Sequence, residues 1–337
     1  MKPPLISILM AVKDYERYLP DCLESILAQT CTDWELLAVN DHSTDTTPQI
    51  LRAFAKRDPR IRPLDNEGSG LIPALRTAFR HSRGSFLTRM DADDLMPPQK
   101  LEKLSQKLLQ AGPRHIAVGL IRYFCNQGET LGPGYLQYTN WMNEVIRQNK
   151  IYQQIYRECT IPSSAWMCRR EDFIACGAFE PEVYPEDYDL CFRFYAAGLQ
   201  PAPVPELVHL WRDHGRRISR TRPEYADHTF LDLKLPRFLE TDYDPQRPLV
   251  LYGAGKKGKR IAAMLHQRNI AFHWLCNSPG KWGKSMHGAI WQPPEFLDQL
   301  DRPQVILSVA QRGARQSLLK MFSSKNLREG KEVFAFA

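Results

Sequence analysis

Ser85-Phe86-Leu87-Thr88-Arg89-Met90 runs directly into Asp91-Ala92-Asp93-Asp94. The first six residues read as a buried strand, and the next four place three carboxylates at its carboxyl end. Acids this close repel one another and lose solvation on burial, so a compensating cation gives their placement a reason. Oxygen ligands on a tight turn suit Mg2+ or Mn2+, which keep positions open for water and for substrate phosphates. The plainer alternative is a solvated acidic turn leading into the helix that Pro97-Pro98 opens.

Upstream, strand and helix patterns alternate. Leu5-Ile6-Ser7-Ile8-Leu9-Met10-Ala11-Val12 is a near-continuous apolar run of the kind that sits in a strand covered on both faces. Leu19, Cys22, Leu23, Ile26 and Leu27 follow at helical spacing, with Pro20 in the first turn. Trp34–Val39 returns as a strand, Thr47-Pro48 opens a helix through Lys56, Ile61–Leu64 is a short strand, and Leu71–His81 fits another helix. After the acidic turn, Leu101, Leu104 and Leu108 share a helix face that Gly112-Pro113 ends. This rhythm predicts an α/β fold, a mostly parallel sheet flanked by helices, with ligands at the carboxyl ends of its strands.

Residues 126–160 are less regular and predict a loop followed by a helix from about Trp141; Tyr135, Tyr138 and Trp141 offer either a lid over a ligand or packing against the core. Strand-like Ala165–Cys168, a helix over Tyr188–Ala197 stopped by Gly198, and a strand over Leu207–Trp211 complete a first domain of residues 1–240. A polar, Pro-containing linker of residues 241–248 leads to a second domain of residues 249–337, with strands at Leu249–Tyr252, Phe272–Cys276, Val305–Val309 and Val333–Phe336.

The composition of 337 residues, 43% apolar and 25% charged, excludes wholesale disorder and a disulfide miniprotein. Leu5–Val12 is the longest apolar stretch and falls far short of a membrane span. Together with the absence of a signal-peptide pattern after Met1, this predicts a cytoplasmic protein whose eight scattered cysteines are reduced. Charge is uneven: residues 245–337 hold 15 Lys and Arg against 5 Asp and Glu, a net +10, while the rest of the chain is −3. A basic module suits an anionic lipid surface or phosphorylated ligands; no interleaved aromatic and basic stripe supports a nucleic-acid partner.

Several motifs in order resemble the family 2 glycosyltransferases of the GT-A fold. They are Ile6-Ser7-Ile8, Tyr18-Leu19, Cys22-Leu23, Ser25-Ile26, Gln29-Thr30, Asp33-Trp34-Glu35, Asn40-Asp41-His42-Ser43-Thr44-Asp45, Asn66-Glu67-Gly68, Ala74 and Arg89–Asp94, and the likeness extends over roughly residues 4–220. The resemblance implies an inverting enzyme that moves a sugar from a nucleotide-diphosphate donor to an acceptor hydroxyl, with Mn2+ or Mg2+ on the diphosphate. It implies Asp93 as metal ligand, Asp91 as a contact to ribose or the metal shell, and Asp41 as a contact to nucleobase or ribose. The family usually has paired acids where this chain has Asn40-Asp41, and Asn where it has Lys13, so Lys13 is an alternative phosphate contact.

Two further constellations bear on the same chemistry. Tyr184-Pro185-Glu186-Asp187-Tyr188-Asp189 opens a helix with acids; a carboxylate that takes the acceptor proton is typically worth about 10²–10⁴-fold, whereas acids at a helix start also serve simply to meet its dipole. The resemblance favours Asp187 as base, with Glu186 next, and Arg193 as a structural partner of these acids. Trp211-Arg212-Asp213-His214 with Ser219 is similar to a family segment downstream of the base, making His214 a metal ligand candidate and Arg212 a donor contact, with His209 structural.

In the second domain, Gly253-Ala254-Gly255-Lys256-Lys257-Gly258 follows a strand and opens a helix, the setting of a dinucleotide fingerprint. Cys276-Asn277 stands where an acid would bind the ribose of an NAD-type cofactor, which argues against that cofactor. The segment resembles Rossmann-like modules appended to polysaccharide-biosynthesis enzymes; Gly253, Gly255, Gly258 and Lys256 are its anion or dinucleotide candidates, and packing, oligomerisation or anion docking its other uses. The sequence thus predicts a metal-dependent glycosyltransferase acting on a saccharide or lipid-linked acceptor, in cell-surface polysaccharide or glycolipid biosynthesis, at the inner face of the membrane or free in the cytoplasm. A nucleotidyltransferase and a non-catalytic sugar-nucleotide-binding scaffold are the alternatives.

Overall fold

The computed structural model describes residues 5–126, 130–215, 217–225 and 230–337; the side chain of Ser219 lies outside the described residues. The chain divides into two compact units, Met1–Ile151 with Thr160–Ala226, and Tyr152–Cys159 with Asp227–Ala337.

The first unit is built on β1 (Ile6–Val12), β2 (Trp34–Asn40), β3 (Ile61–Asp65), β4 (Phe86–Arg89), β5 (His115–Phe124), β6 (Trp166–Arg169) and β7 (Gln200–Arg212). Its helices are α1 (Leu19–Leu27), α2 (Thr47–Arg57), α3 (Leu71–His81), α4 (Lys100–Ala111), α5 (Pro133–Arg147), α6 (Arg170–Ala175), α7 (Glu186–Ala196) and α8 (Ile218–Thr221). The sheet order is β3-β2-β1-β4-β6-β5-β7. β1 to β4 run parallel, in the register Ile8 opposite Leu36 and Leu9 opposite Arg89, and β6 is antiparallel to both β4 and β5. Ile6, Ile8, Leu9 and Met10 are fully buried, as a strand covered by helices on both faces requires. The parallel half therefore places the loops after β1, β2 and β4 on one edge.

Three elements differ from expectation. β5 is an apolar strand that begins just past the Gly112-Pro113 stop of α4 and has no counterpart in the sequence reading. α5 begins at Pro133, well before Trp141, because Pro is preorganised for a first helical turn. β7 starts at Gln200 and contains Pro201, Pro203 and Pro205; it lies at the sheet edge beside β5, and its one bridge on the other side, Leu210 with Leu95, is beyond the prolines, so their missing N–H groups break no second ladder.

The second unit contains α9 (Leu231–Thr241), β8 (Leu249–Tyr252), α10 (Lys256–Gln267), β9 (His273–Leu275), β10 (Ser285–Met286), β11 (Ala289–Gln292), β12 (Gln304–Leu307), α11 (Arg312–Ser324) and β13 (Val333–Ala335). Its sheet runs β10-β11-β9-β8-β12-β13, parallel except for the β10–β11 pair. α9 and residues 152–159 group with this sheet, whereas the sequence reading put both in residues 1–240. Aromatic packing is the reason: the Phe238 ring lies 4.9 Å from Phe334, and Tyr156 stacks on Phe336 at 5.2 Å. Gly253 has φ +116°, and a Cβ on Gly258 would lie 2.2 Å from the Gly253 carbonyl oxygen, so these two glycines allow the turn and the close approach of α10 to it. Among the described residues no helix is long and apolar enough to cross a membrane.

Candidate active site

A cleft of about 660 Å³ opens at the carboxyl ends of the parallel strands, lined in part by Lys13, Tyr15, Asp41, His214 and Arg222. Asp41 is buried at the end of β2. Burial works to raise its proton affinity. Hydrogen bonds from Gly70 N–H (2.9 Å) and Asn66 Nδ2 (2.7 Å), with the Lys13 ammonium 3.6 Å away, overcome that and hold it below the usual carboxylate range. Lys13, an alternative phosphate contact in the sequence, is thus paired with Asp41 here.

The three acids after β4 have three different environments. Asp91 accepts from Arg89 (Nη2 at 2.8 Å) and from Ser163 Oγ (3.0 Å). Asp94 is fully withdrawn, sharing a hydrogen bond with His209 Nε2 at 2.9 Å and accepting from Arg212 N–H at 2.7 Å. Burial, with Asp93 and Asp91 close by, raises the Asp94 proton affinity, while burial holds His209 well below its ordinary value. Only Asp93 meets the cleft-lining imidazole: its Oδ2 is 2.8 Å from His214 Nε2. Tyr18 backs that imidazole, its ring 4.5 Å from it.

Arg212, the expected donor contact, is turned toward the acidic turn. Its side chain is buried, and it donates to the Asp93 carbonyl oxygen (2.8 Å), Asn126 Oδ1 (2.8 Å) and Asp21 Oδ2 (3.2 Å). It braces the acidic turn from behind.

The Asp93–His214 pair fits a divalent ion. Ligand atoms in adjacent octahedral positions at about 2.1 Å from Mg2+ are about 3 Å apart, close to the observed separation. Among the described residues no three His, Cys, Asp or Glu side chains converge, so such an ion would draw its other ligands from water and phosphate oxygens.

The acids opening α7 are divided by depth. Glu186 is buried, one oxygen 2.7 Å from Arg89 Nη1 and the other accepting from the Tyr225 hydroxyl. Asp187 is half-buried, and its Oδ1 accepts from Tyr188 N–H at 2.8 Å. Burial, and then the neighbouring Glu186 charge, push the Asp187 carboxyl up to about 7, with Arg89 opposing. Both oxygens of Glu186, the second candidate base, thus have partners. Arg193 pairs with Asp189, one of the acids opening this helix, at 2.8 Å.

The model for glycosyl transferase family 2 matches residues 7–177. The chain belongs to this family. The uncharacterized glycosyltransferase EpsJ of Bacillus subtilis is 33% identical over 284 residues, 82% of this chain and 79% of its own length. Glycosyltransferase GlyA of Streptococcus pneumoniae is 30% identical over 232 residues; the match takes in 67% of this chain and only 33% of GlyA. Among solved structures, the mannosyltransferase PcManGT from Pyrobaculum calidifontis in complex with GDP-Man and Mn2+ superposes with a TM-score of 0.54 at 18% identity, over 73% of this chain and 67% of that one. That likeness shows the GT-A-type fold.

Within this family 2 chain, the fold brings Asp41 and Lys13 together at one side of the cleft and Asp93 with His214 at another, and it links Asp91 to Glu186 through Arg89. Gly253, Gly255, Gly258 and Lys256 belong to the second unit, where Lys281 Nζ donates to the Ala254 carbonyl oxygen at 2.8 Å. Arg89, Ser163, Asn66 and Tyr225 received no role from the sequence. Arg89 carried a signal, a cation inside a strand that is otherwise buried and apolar; Tyr225 ends a short 3-10 turn and carried none.

Proposed function

We propose that the chain is an inverting glycosyltransferase that moves a sugar from a nucleotide-diphosphate donor to an acceptor hydroxyl. The observation that carries this is the meeting of Asp93 and His214 at the edge of a cleft whose other side presents buried, ionised Asp41. Asp41 and Lys13 hold the nucleoside, while Asp91, bonded to Arg89 and Ser163, supports the acidic turn from within. Asp93 and His214 hold Mn2+ or Mg2+, which when bound offsets charge on the diphosphate as it leaves.

Asp187 takes the proton of the acceptor hydroxyl. As that oxygen bonds to the sugar's anomeric carbon, the bond from that carbon to the diphosphate breaks on the opposite face, the diphosphate leaves with the electron pair, and the configuration inverts. A carboxyl with a proton affinity near neutrality is suited to this, being ionised in a useful fraction yet basic enough to accept.

The basic second unit we read as a Rossmann-like module, on the strength of its parallel order with β8 central and the glycine turn after it. With Ile290 exposed in the hairpin beside Lys284 and Trp282 exposed just before it, it suits an anionic membrane surface, which would bring the enzyme to a saccharide or lipid-linked acceptor in polysaccharide or glycolipid biosynthesis on the cytoplasmic side.

The test is a screen of sugar nucleotides by thermal shift with and without Mn2+, followed by product analysis on the donor that binds. A Mn2+-dependent shift and release of a nucleoside diphosphate are expected. Release of pyrophosphate, or binding without metal dependence or turnover, overturns the proposal.

A further inference from the structure

Arg89 is the last residue of β4 and is buried. Its fork spans two acids from distant parts of the sequence: Nη1 to Glu186 Oε1 at 2.7 Å, and Nη2 and Nε to Asp91 Oδ1 at 2.8 and 2.9 Å. The far side of each acid is closed as well, Glu186 by the Tyr225 hydroxyl and Asp91 Oδ2 by Ser163 Oγ. A guanidinium shared between two carboxylates fixes direction as well as distance, because its planar fork admits few geometries. Neither Glu186 nor Tyr225 is needed for the proton transfer itself, yet both are buried polar groups placed against the base helix.

We propose that Arg89, Glu186 and Tyr225 are positioning residues, a buried bridge that fixes the first turn of α7 against the acidic turn after β4 and so sets where Asp187 stands relative to the donor sugar. The proposal rests on the reading of Asp187 as base. Its consequence is kinetic: misplacing a reacting group by about 1 Å is enough to cost on the order of 10²-fold in rate, whereas donor affinity, which depends on Asp41, Asp93 and His214, is untouched.

The experiment compares kcat and donor KM for Tyr225→Phe, Glu186→Gln, their double variant and Asp187→Asn, each checked for wild-type folding by circular dichroism and melting temperature. Tyr225→Phe removes a single hydroxyl and keeps the ring, so it tests the bridge even if Glu186→Gln folds poorly. The expected result is a kcat loss of about 10- to 100-fold in each single variant with donor KM unchanged, and little further loss in the double variant, since residues acting as one unit are not additive. Asp187→Asn is expected to lose more than about 10²-fold. Wild-type kcat in both bridge variants, or a rise in donor KM at constant kcat, overturns the bridge. Glu186→Gln as inactive as Asp187→Asn, with Tyr225→Phe unaffected, also overturns it by making Glu186 a base. Turnover retained by Asp187→Asn overturns the base assignment instead.

Discussion

His214 Nε2 lies 2.8 Å from Asp93 Oδ2, although 121 residues separate them in sequence. β4 delivers the acid and the end of β7 delivers the imidazole, and Arg212, two residues before His214, bonds the carbonyl of that same Asp93 at 2.8 Å. The pair is therefore held by backbone as well as by side chain. If it grips the divalent ion, Asp93→Ala and His214→Ala each lower kcat by about 10²-fold or more, in line with the several kcal/mol such an ion contributes to transition-state charge. The measurement is transfer rate against Mn2+ concentration, and unchanged saturation by Mn2+ in both variants contradicts the assignment.

Asp187 makes a prediction about pH with two signs. The base must be ionised, so kcat rises as pH increases through about 7 and levels above it. Stability moves the other way. The unfolded chain releases this proton near pH 3.9 and the folded chain keeps it to about 7, so over that window the folded state binds more protons and loses stability as pH rises. Asp187→Asn is accordingly expected to melt a few degrees higher than wild type at pH 8 and no higher at pH 4, while losing its activity. A pH–rate profile and melting curves at the two pH values check both halves, and equal melting temperatures at pH 8 count against the raised affinity.

Much of this site could be read from sequence because its parts are local. The acidic turn is contiguous, Asp41 ends a strand, and Glu186-Asp187 open a helix, so strand-and-helix periodicity alone puts them on the functional edge of the sheet. What could not be read is which acid faces in. Asp94, Asp93 and Asp91 look equivalent as letters, yet His209 and Arg212 from β7 withdraw one, His214 meets another and Arg89 ties up the third. The first two choices depend on pairing across more than 100 residues, to which local periodicity is blind, and the third on a neighbour two residues away whose direction the letters do not give. β5 was missed for a related reason: with the Gly112-Pro113 stop just before it and irregular chain after it, nothing local marks it as the strand that carries β7.

Arg212 illustrates the difference between a donor contact and a brace, and the two make different predictions. A brace, buried and bonded to Asp93 O, Asn126 and Asp21, leaves an unmet carbonyl and an unpartnered buried hole when removed. Arg212→Met is expected to destabilise the protein by about 1–3 kcal/mol, the cost of leaving a buried acceptor unmet. Arg212→Lys recovers part of this and not all, since it cannot reproduce three directions of donation. Chemical denaturation followed by tryptophan fluorescence measures the change. A variant as stable as wild type, with only donor KM raised, would return Arg212 to the donor.

The second unit offers a prediction independent of catalysis. Trp282 and Ile290 are 39% and 55% exposed; Ile290 pairs in register with Ser285, next to Lys284, and Trp282 lies two residues before that lysine, its indole N–H bonded to the Cys276 carbonyl oxygen. Isolated exposed apolar residues need no explanation, but a Trp and an Ile flanking lysines on a segment of net +10 form the combination that anionic headgroups attract and interfacial aromatics anchor. Each lysine near such a surface is worth about 1 kcal/mol. The full chain is expected to sediment with vesicles rich in phosphatidylglycerol and not with phosphatidylcholine alone, and to be released by high salt. Lys284→Glu and Trp282→Ala should each weaken sedimentation several-fold while leaving donor turnover in solution intact. Equal partition between the two vesicle types, or none to either, would remove the membrane from the proposal and leave the charge as a solvated face.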